Sequence, residues 1–262
     1  MRARRPLVVG NWKMNGTRSS AQGLVNSITE SYRRISSDVD PAIFDVVVCP
    51  PSILTGLVAD AVQGTNVRVG GQDCHAEEKG AFTGDVSPLM LRDAGASYVL
   101  VGHSERRCGH GETNTLVSQK AYAAQRAGLI TIICVGEDAA IRAAGEALAF
   151  VEAQVRESLP PGAPGSQTII AYEPVWAIGS GRIPSYEEIS DMHTMLRRVV
   201  ASVIDVQPEV ARLLYGGSVT PSNAADIMKI TNVDGVLVGG ASLHADDFCA
   251  VAFAAQPHAH SE

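Results

Sequence analysis

The chain has 262 residues, of which 45% are hydrophobic and 19% charged, a balance that excludes an intrinsically disordered protein and suffices for a sizeable core. Its formal net charge of −7 argues against a nucleic-acid or anionic-membrane partner, since either wants a basic face. Five scattered cysteines without a C-x-x-C pair fit reduced thiols better than a disulfide framework or a zinc site.

The basic opening residues run straight into a short strand rather than into an apolar signal segment. No apolar run reaches the roughly 18 residues of a membrane span, so a cytoplasmic protein is expected. Eight short apolar, β-branched runs then follow one another, and the residues after them carry the chemistry. The first, 7–10, leads into Asn11-Trp12-Lys13. The second and third occupy 44–49 and 66–70, and the fourth, 97–101, opens into Gly102-His103-Ser104-Glu105. Helical spacing over 113–126, stopped by Gly128, precedes the fifth run at 129–135. Cys134 lies inside that run, where a buried structural thiol outweighs a nucleophile.

The turn-rich stretch 159–166 reads as a helix-to-strand connection rather than a domain linker, because the rhythm resumes after it. The sixth run, 167–172, ends on Glu173-Pro174. Ser185 and Glu188 have the spacing of a capping box ahead of a helix through 189–203. The seventh run, 211–215, leads into Gly216-Gly217-Ser218, after which Thr220-Pro221 places a cap before a proline at the first position of a helix. The eighth, 233–238, leads into Gly239-Gly240, with a short helix opening near Ala241 or Ser242.

Continuous rather than alternating runs are the mark of parallel strands buried on both faces. Alternation with helices predicts a parallel α/β fold, and eight repeats favour a closed (β/α)₈ barrel over an open doubly wound sheet. Such barrels reach about 250 residues as one domain, so residues 1–262 are expected to form a single domain. The barrel would span about 6–255, followed by a short disordered C-terminal tail.

All the strand exits of a parallel barrel share one rim, which is where such folds place their active sites. Alone, Lys13 reads as a surface charge; on that rim beside Asn11 it supplies positive charge to an anionic ligand. His103 alone reads as a hydrogen-bonded structural histidine, and its tight strand exit favours function. Glu173 is the sharpest case, because a carboxylate after an apolar run is costly to bury without partners or work to do. The two Gly-Gly pairs follow strands seven and eight, where barrels bind phosphate through backbone N–H groups. Glu105-Arg106-Arg107 reads as an ion-pair lattice holding the His103 loop. The motifs of zincins, P-loops, dinucleotide folds and nucleophile elbows are missing, so no metal or cofactor is expected. A base, a neutral electrophile, a cation and a phosphate cradle suit proton transfer next to a carbonyl in a small phosphorylated substrate.

Several long motifs resemble the triosephosphate isomerase family in the right order: Gly10-Asn-Trp-Lys-Met-Asn-Gly16, Ala81-Phe-Thr-Gly-Asp85, Gly102-His-Ser-Glu-Arg-Arg107, Cys134-Val-Gly-Glu137, Ala171-Tyr-Glu-Pro-Val-Trp-Ala-Ile-Gly179, Tyr215-Gly-Gly-Ser-Val219 and Gly239-Gly-Ala-Ser242. The resemblance implies a single-domain TIM barrel that interconverts dihydroxyacetone phosphate and glyceraldehyde 3-phosphate without a cofactor. It implies Glu173 as base, His103 as neutral electrophile, Lys13 as the cation, Asn11 as a positioning side chain, and Glu105 as a partner beside Lys13. It implies phosphate binding by Gly179, Ser218, Gly239 and Gly240.

The same resemblance makes 174–181 a mobile lid that includes Pro174 and Trp176. It makes Ile178 and Leu237 an apolar clamp that raises the basicity of Glu173 by desolvation. The loop from Ala81 to Asp85, with Thr83, is implied to dock into a second subunit, giving a homodimer. The chain departs from the family pattern at Ser180, at Asp85 and at Arg182-Ile183-Pro184. The family's latch from the tyrosine at Tyr215 to the backbone N–H at position 184 cannot form here, because Pro184 has no N–H. A paralogous isomerase of a four-carbon ketose phosphate and a non-catalytic barrel scaffold are the competing readings.

Overall fold

The structure is a computed structural model that describes residues 4–35, 44–178, 182–204 and 207–255. Eight parallel strands close into a barrel in sequence order: β1 Leu7–Asn11, β2 Asp45–Cys49, β3 Val67–Gly71, β4 Tyr98–Val101, β5 Ile130–Val135, β6 Thr168–Tyr172, β7 Arg212–Tyr215 and β8 Gly235–Val238. The ring shuts where β1 pairs with β8, Leu7 standing opposite Gly235 and Gly10 opposite Val238. The helices are α1 Arg18–Ile35, α2 Thr55–Ala61, α3 Pro88–Asp93, α4 Ser104–His110, α5 Asn114–Arg126, α6 Ala139–Ala143, α7 Ala147–Ser158, α8 Tyr186–Val203, α9 Ala224–Met228 and α10 Ala245–Phe253.

Side chains alternate along the strands, so every strand except β3 feeds two cores. Leu7, Val9, Val47, Cys49, Leu100, Ile132, Cys134, Ala171, Leu214 and Leu237 pack together as one cluster. Their neighbours Val8, Val46, Val48, Val99, Val101, Ile133 and Ile170 pack instead in the larger cluster that contains the helical residues Val25, Val117, Val151, Leu196 and Phe248. Burial on both faces is what makes these strands read as unbroken apolar runs. Cys134 is fully buried, and burial pushes its thiol well above the ordinary range.

The helices expected over 113–126 and 189–203 both form. Thr113 caps α5 by accepting from the Leu116 N–H, and Gly128 turns the chain after it at φ +80°. Ser185 and Glu188 form a reciprocal capping box at the start of α8. At 220–223 the prediction needs correction. Thr220-Pro221 opens a turn, and α9 begins only at Ala224. Asn223 reaches back to the Thr220 N–H (2.8 Å) and donates to the Ser218 carbonyl (2.9 Å), which holds the segment as a turn before the helix starts. The eighth strand starts at Gly235 rather than at Val233, since the Val233 N–H closes a turn onto Ile230. The C-terminal tail from residue 256 lies outside the described residues.

Candidate active site

Strand exits at one rim enclose a cavity of about 280 Å³ lined by Asn11, Lys13, His103, Glu173, Ile178, Gly216, Gly217, Ser218, Leu237, Gly239 and Gly240. Asn11 is the last residue of β1, and its Oδ1 accepts the Lys13 backbone N–H at 3.0 Å. That bond holds Lys13 at φ +52°, a left-handed conformation costly for a side chain with a Cβ. Gln72 steadies it from below, its amide donating to the carbonyls of Lys13 and Cys49, both at 2.8 Å. The Lys13 ammonium meets Glu105 Oε1 at 2.5 Å.

His103 caps α4. Its Nδ1 accepts the Glu105 backbone N–H at 3.2 Å, which leaves Nε2 to carry the proton of the neutral ring. Nε2 lies 3.0 Å from Glu173 Oε1, while Glu173 Oε2 accepts the Ser104 N–H at 3.1 Å. Burial opposes charge on both partners, but their mutual attraction outweighs it. His103 is raised above the usual imidazole range by the Glu173 carboxylate, and Glu173 is lowered by His103 and by the Ser104 N–H. Burial by itself raises Glu173, the direction expected of an apolar clamp, while His103 and the Ser104 N–H hold it below the ordinary value in this arrangement.

Two glycines owe their identity to close approach around Glu173. A Cβ on Gly216 would stand 2.9 Å from Glu173 Cγ, and one on Gly136 would stand 1.7 Å from the Glu173 carbonyl oxygen. Gly217 would collide with the Tyr215 hydroxyl at 2.0 Å. Gly240 meets nothing, so its bareness opens the cavity wall. Gly239 and Gly240 lead into a 3₁₀ turn, Gly240–Leu243, inside which Ser242 is buried with its hydroxyl on the Gly239 carbonyl at 2.6 Å.

The charge run after His103 spreads into two sets of contacts. Arg106 reaches Glu112 at 2.5 Å and Asp73 at 3.0 Å. Arg107 donates to the Gly102 and Cys134 carbonyls, tying the exits of β4 and β5 together. Pro174 is buried and Trp176 half-buried in a 3₁₀ turn, Val175–Ala177, while Ile178 and Leu237 flank the cavity. Gly179, with the rest of 179–181, lies outside the described residues. The Tyr215 hydroxyl is buried and has no partner among the described residues. The loop through Ala81, Phe82, Thr83 and Asp85 is exposed, with the Phe82 ring 4.0 Å from that of His75.

Sequence reasoning gave no role to Glu137, beyond its place in a family motif, and none to Arg142. Glu137 is fully buried, its Oε1 accepting from Trp176 Nε1 (2.8 Å) and the Tyr172 hydroxyl (3.1 Å) on either side of Glu173 in the chain. Its partners lie at least 35 residues away, except Arg142, so its place in the Cys134–Glu137 motif and after an apolar strand was the signal, and it gave no role. Among the described residues no group of three or more His, Cys, Asp or Glu side chains is arranged to hold a metal ion.

Fold and site together define the class: a single-domain (β/α)₈ barrel with a buried carboxylate–imidazole pair, a rim lysine and small-residue loops around one small cavity. The family model described as triosephosphate isomerase matches residues 6–255. The triosephosphate isomerase of Xanthobacter flavus is 48% identical over 249 residues, covering 95% of this chain and 97% of that protein. That of Ruegeria pomeroyi is 50% identical over 246 residues, covering 94% and 95%. The crystal structure of triosephosphate isomerase from Bartonella henselae superposes with a TM-score of 0.86 at 39% identity, over 95% of this chain and 98% of that one. The chain belongs to the triosephosphate isomerase family and is an isomerase.

Proposed function

We propose that this protein interconverts dihydroxyacetone phosphate and D-glyceraldehyde 3-phosphate through an enediolate, as a step of glycolysis and gluconeogenesis. The observation that carries the reading is the His103 Nε2–Glu173 Oε1 contact of 3.0 Å on the wall of a cavity that also holds Lys13. A carboxylate base and a ring N–H then face the same small space; once substrate separates them, the pull of Glu173 on His103 is lost and burial favours the neutral ring.

Glu173 removes a proton from the carbon beside the carbonyl and returns it to the neighbouring carbon. For that, its oxygens exchange His103 and Ser104 for the substrate, and burial then makes it a stronger base. His103 donates its Nε2 proton to the carbonyl oxygen and recovers one from the adjacent hydroxyl, so the proton count balances. Lys13 opposes the negative charge that builds on the enediolate, and Asn11 and Glu105 set its position through the bonds described above. Ser218, Gly239 and Gly240 take the phosphate in the same cavity, with Gly179 as a further backbone donor. The segment 174–181 acts as the lid that keeps water from the enediolate, and Ile178 and Leu237 close on Glu173.

The protein works in the cytoplasm as a homodimer. The cytoplasmic reading is supported by free cysteines, four of them buried, and by the lack of any described helix long and apolar enough to cross a membrane. Exposed apolar Phe82 and Met14, in and near the Ala81–Asp85 loop region, support the dimer reading. The deciding experiment sets purified protein on glyceraldehyde 3-phosphate and, separately, on a four-carbon ketose phosphate, with chelator present and no cofactor added. Fast turnover with strong preference for the triose supports the reading. Preference for the four-carbon substrate, or inactivity of the folded protein on both, overturns it.

A further inference from the structure

Arg142, on α6 after the fifth strand, touches three things that belong to different parts of the chain. Its guanidinium lies 5.2 Å from the centre of the Trp176 ring. One nitrogen reaches Glu137 Oε1 at 3.4 Å, the oxygen that also receives Tyr172 and Trp176. Another donates to Glu188 Oε1, while Glu188 Oε2 accepts the Ser185 N–H at 2.7 Å in the capping box of α8. Residues 172 and 176 bracket Glu173, Ile178 lines the cavity just beyond, and Ser185 begins the helix on the far side. One planar cation thus joins the chain after Glu173 to the start of α8 and, through Glu137, to the residue before Glu173. A guanidinium suits this task because it stacks on one face and spends its N–H groups in two directions in its plane.

We propose that Arg142 is a positioning residue for the isomerisation, which fixes the 174–178 segment, and with it Glu173 and the Ile178 wall, against the start of α8. The inference rests on the function proposed above and assigns Arg142 no contact with substrate. The Glu173 backbone is already pinned, its N–H donating to the Val135 carbonyl at 2.7 Å, so what Arg142 adds is the setting of the segment that follows. Glu137 cannot supply this alone: it has no hydrogen bond to α8, and its second oxygen has no partner among the described residues.

The test is Arg142→Met, which keeps an unbranched stem over Trp176 and removes both polar links, beside Arg142→Lys and Glu188→Gln. Glu188→Gln keeps the capping interaction, since glutamine serves at that position, but weakens the link from Arg142. Steady-state kinetics on glyceraldehyde 3-phosphate are read with Trp176 emission and thermal unfolding. Misplacement by about 1 Å costs on the order of 100-fold in turnover. Arg142→Met is therefore expected to lower kcat by about tenfold to hundredfold with a smaller change in KM, and to shift Trp176 emission. Glu188→Gln should move both readouts in the same direction by less, and lysine should restore only part of the loss. Unchanged kcat and emission in a folded Arg142→Met protein would overturn the proposal, as would a fall in melting temperature alone. If Arg142→Met does not fold, Glu188→Gln decides by the same criteria. Inactivity of the unsubstituted protein would instead remove the functional reading beneath it.

Discussion

Acidification from about pH 7 to about pH 4.5 is expected to cost the fold on the order of 2 kcal/mol through His193 alone. This side chain sits on α8, fully buried, with Nδ1 3.2 Å from the Asn232 carbonyl. That bond makes Nδ1 the donor and leaves Nε2 an acceptor with no partner among the described residues. Protonating Nε2 would bury a charge and an unmatched N–H together. Burial accordingly lowers the group from 6.5 to about 4, despite the opposing pull of the Asn232 carbonyl and Asp234. The unfolded chain therefore takes up its proton first. Stability is lost as pH falls through about 6.5 and the loss levels off below about 4, following the difference in bound protons. His193→Gln keeps a donor for Asn232 but no longer titrates. Urea unfolding of both proteins at several pH values and one fixed protein concentration isolates the effect, because the acidic carboxylates contribute equally to both curves. The stability gap between variant and parent should move in the variant's favour by about 2 kcal/mol on acidification. Parallel curves would refute the reasoning.

Three further outcomes can be checked directly. Glu173→Gln preserves shape and burial but cannot take a proton, so kcat on glyceraldehyde 3-phosphate should fall by roughly 100-fold to 10,000-fold with the melting temperature little changed. Gly136→Ala places a methyl 1.7 Å from the Glu173 carbonyl oxygen, so calorimetry should show a large loss of stability and kinetics a loss of turnover beyond it. Tyr215→Phe removes a buried hydroxyl that has no described partner; its melting temperature should hold or rise, and a fall of more than about 1 kcal/mol in stability would argue for a bond to that oxygen.

Much of the architecture was legible because strands buried on both faces leave continuous apolar runs, and those runs end at the residues that line the cavity. Asn11, Lys13, His103, Glu173 and the Gly239-Gly240 pair all read from position alone, each ending a strand or lying within two residues of a strand end. Exact strand starts were less so, because Val233 is apolar for packing while its N–H belongs to a turn. The backbone strain at Lys13 was only half legible: Asn11, two residues before it, holds its N–H, but its carbonyl is held by Gln72 from another strand exit. Gly216 looked like a phosphate glycine, but its closest constraint is the Glu173 side chain. The setting of Glu137 and Arg142 depends on Tyr172, Trp176 and Glu188, contacts that exist only once β5 and β6 lie side by side.

The closure of β1 onto β8 also bears on how the molecule is made. Leu7 pairs with Gly235, Arg4 meets Asp234 at 2.7 Å, and the Cys249 thiol lies 3.8 Å from the Ile28 carbonyl, so the earliest-made elements of the barrel bind to its latest. A nascent chain that has reached β7 still carries two open sheet edges, at β1 and at β7, the kind of surface that recruits other chains. Contacts this distant in sequence form late and close slowly. The interval before β8 emerges is thus when this protein is most exposed to misassembly, and substitutions in β8 should reduce the yield of folded protein more than their effect on the finished barrel accounts for.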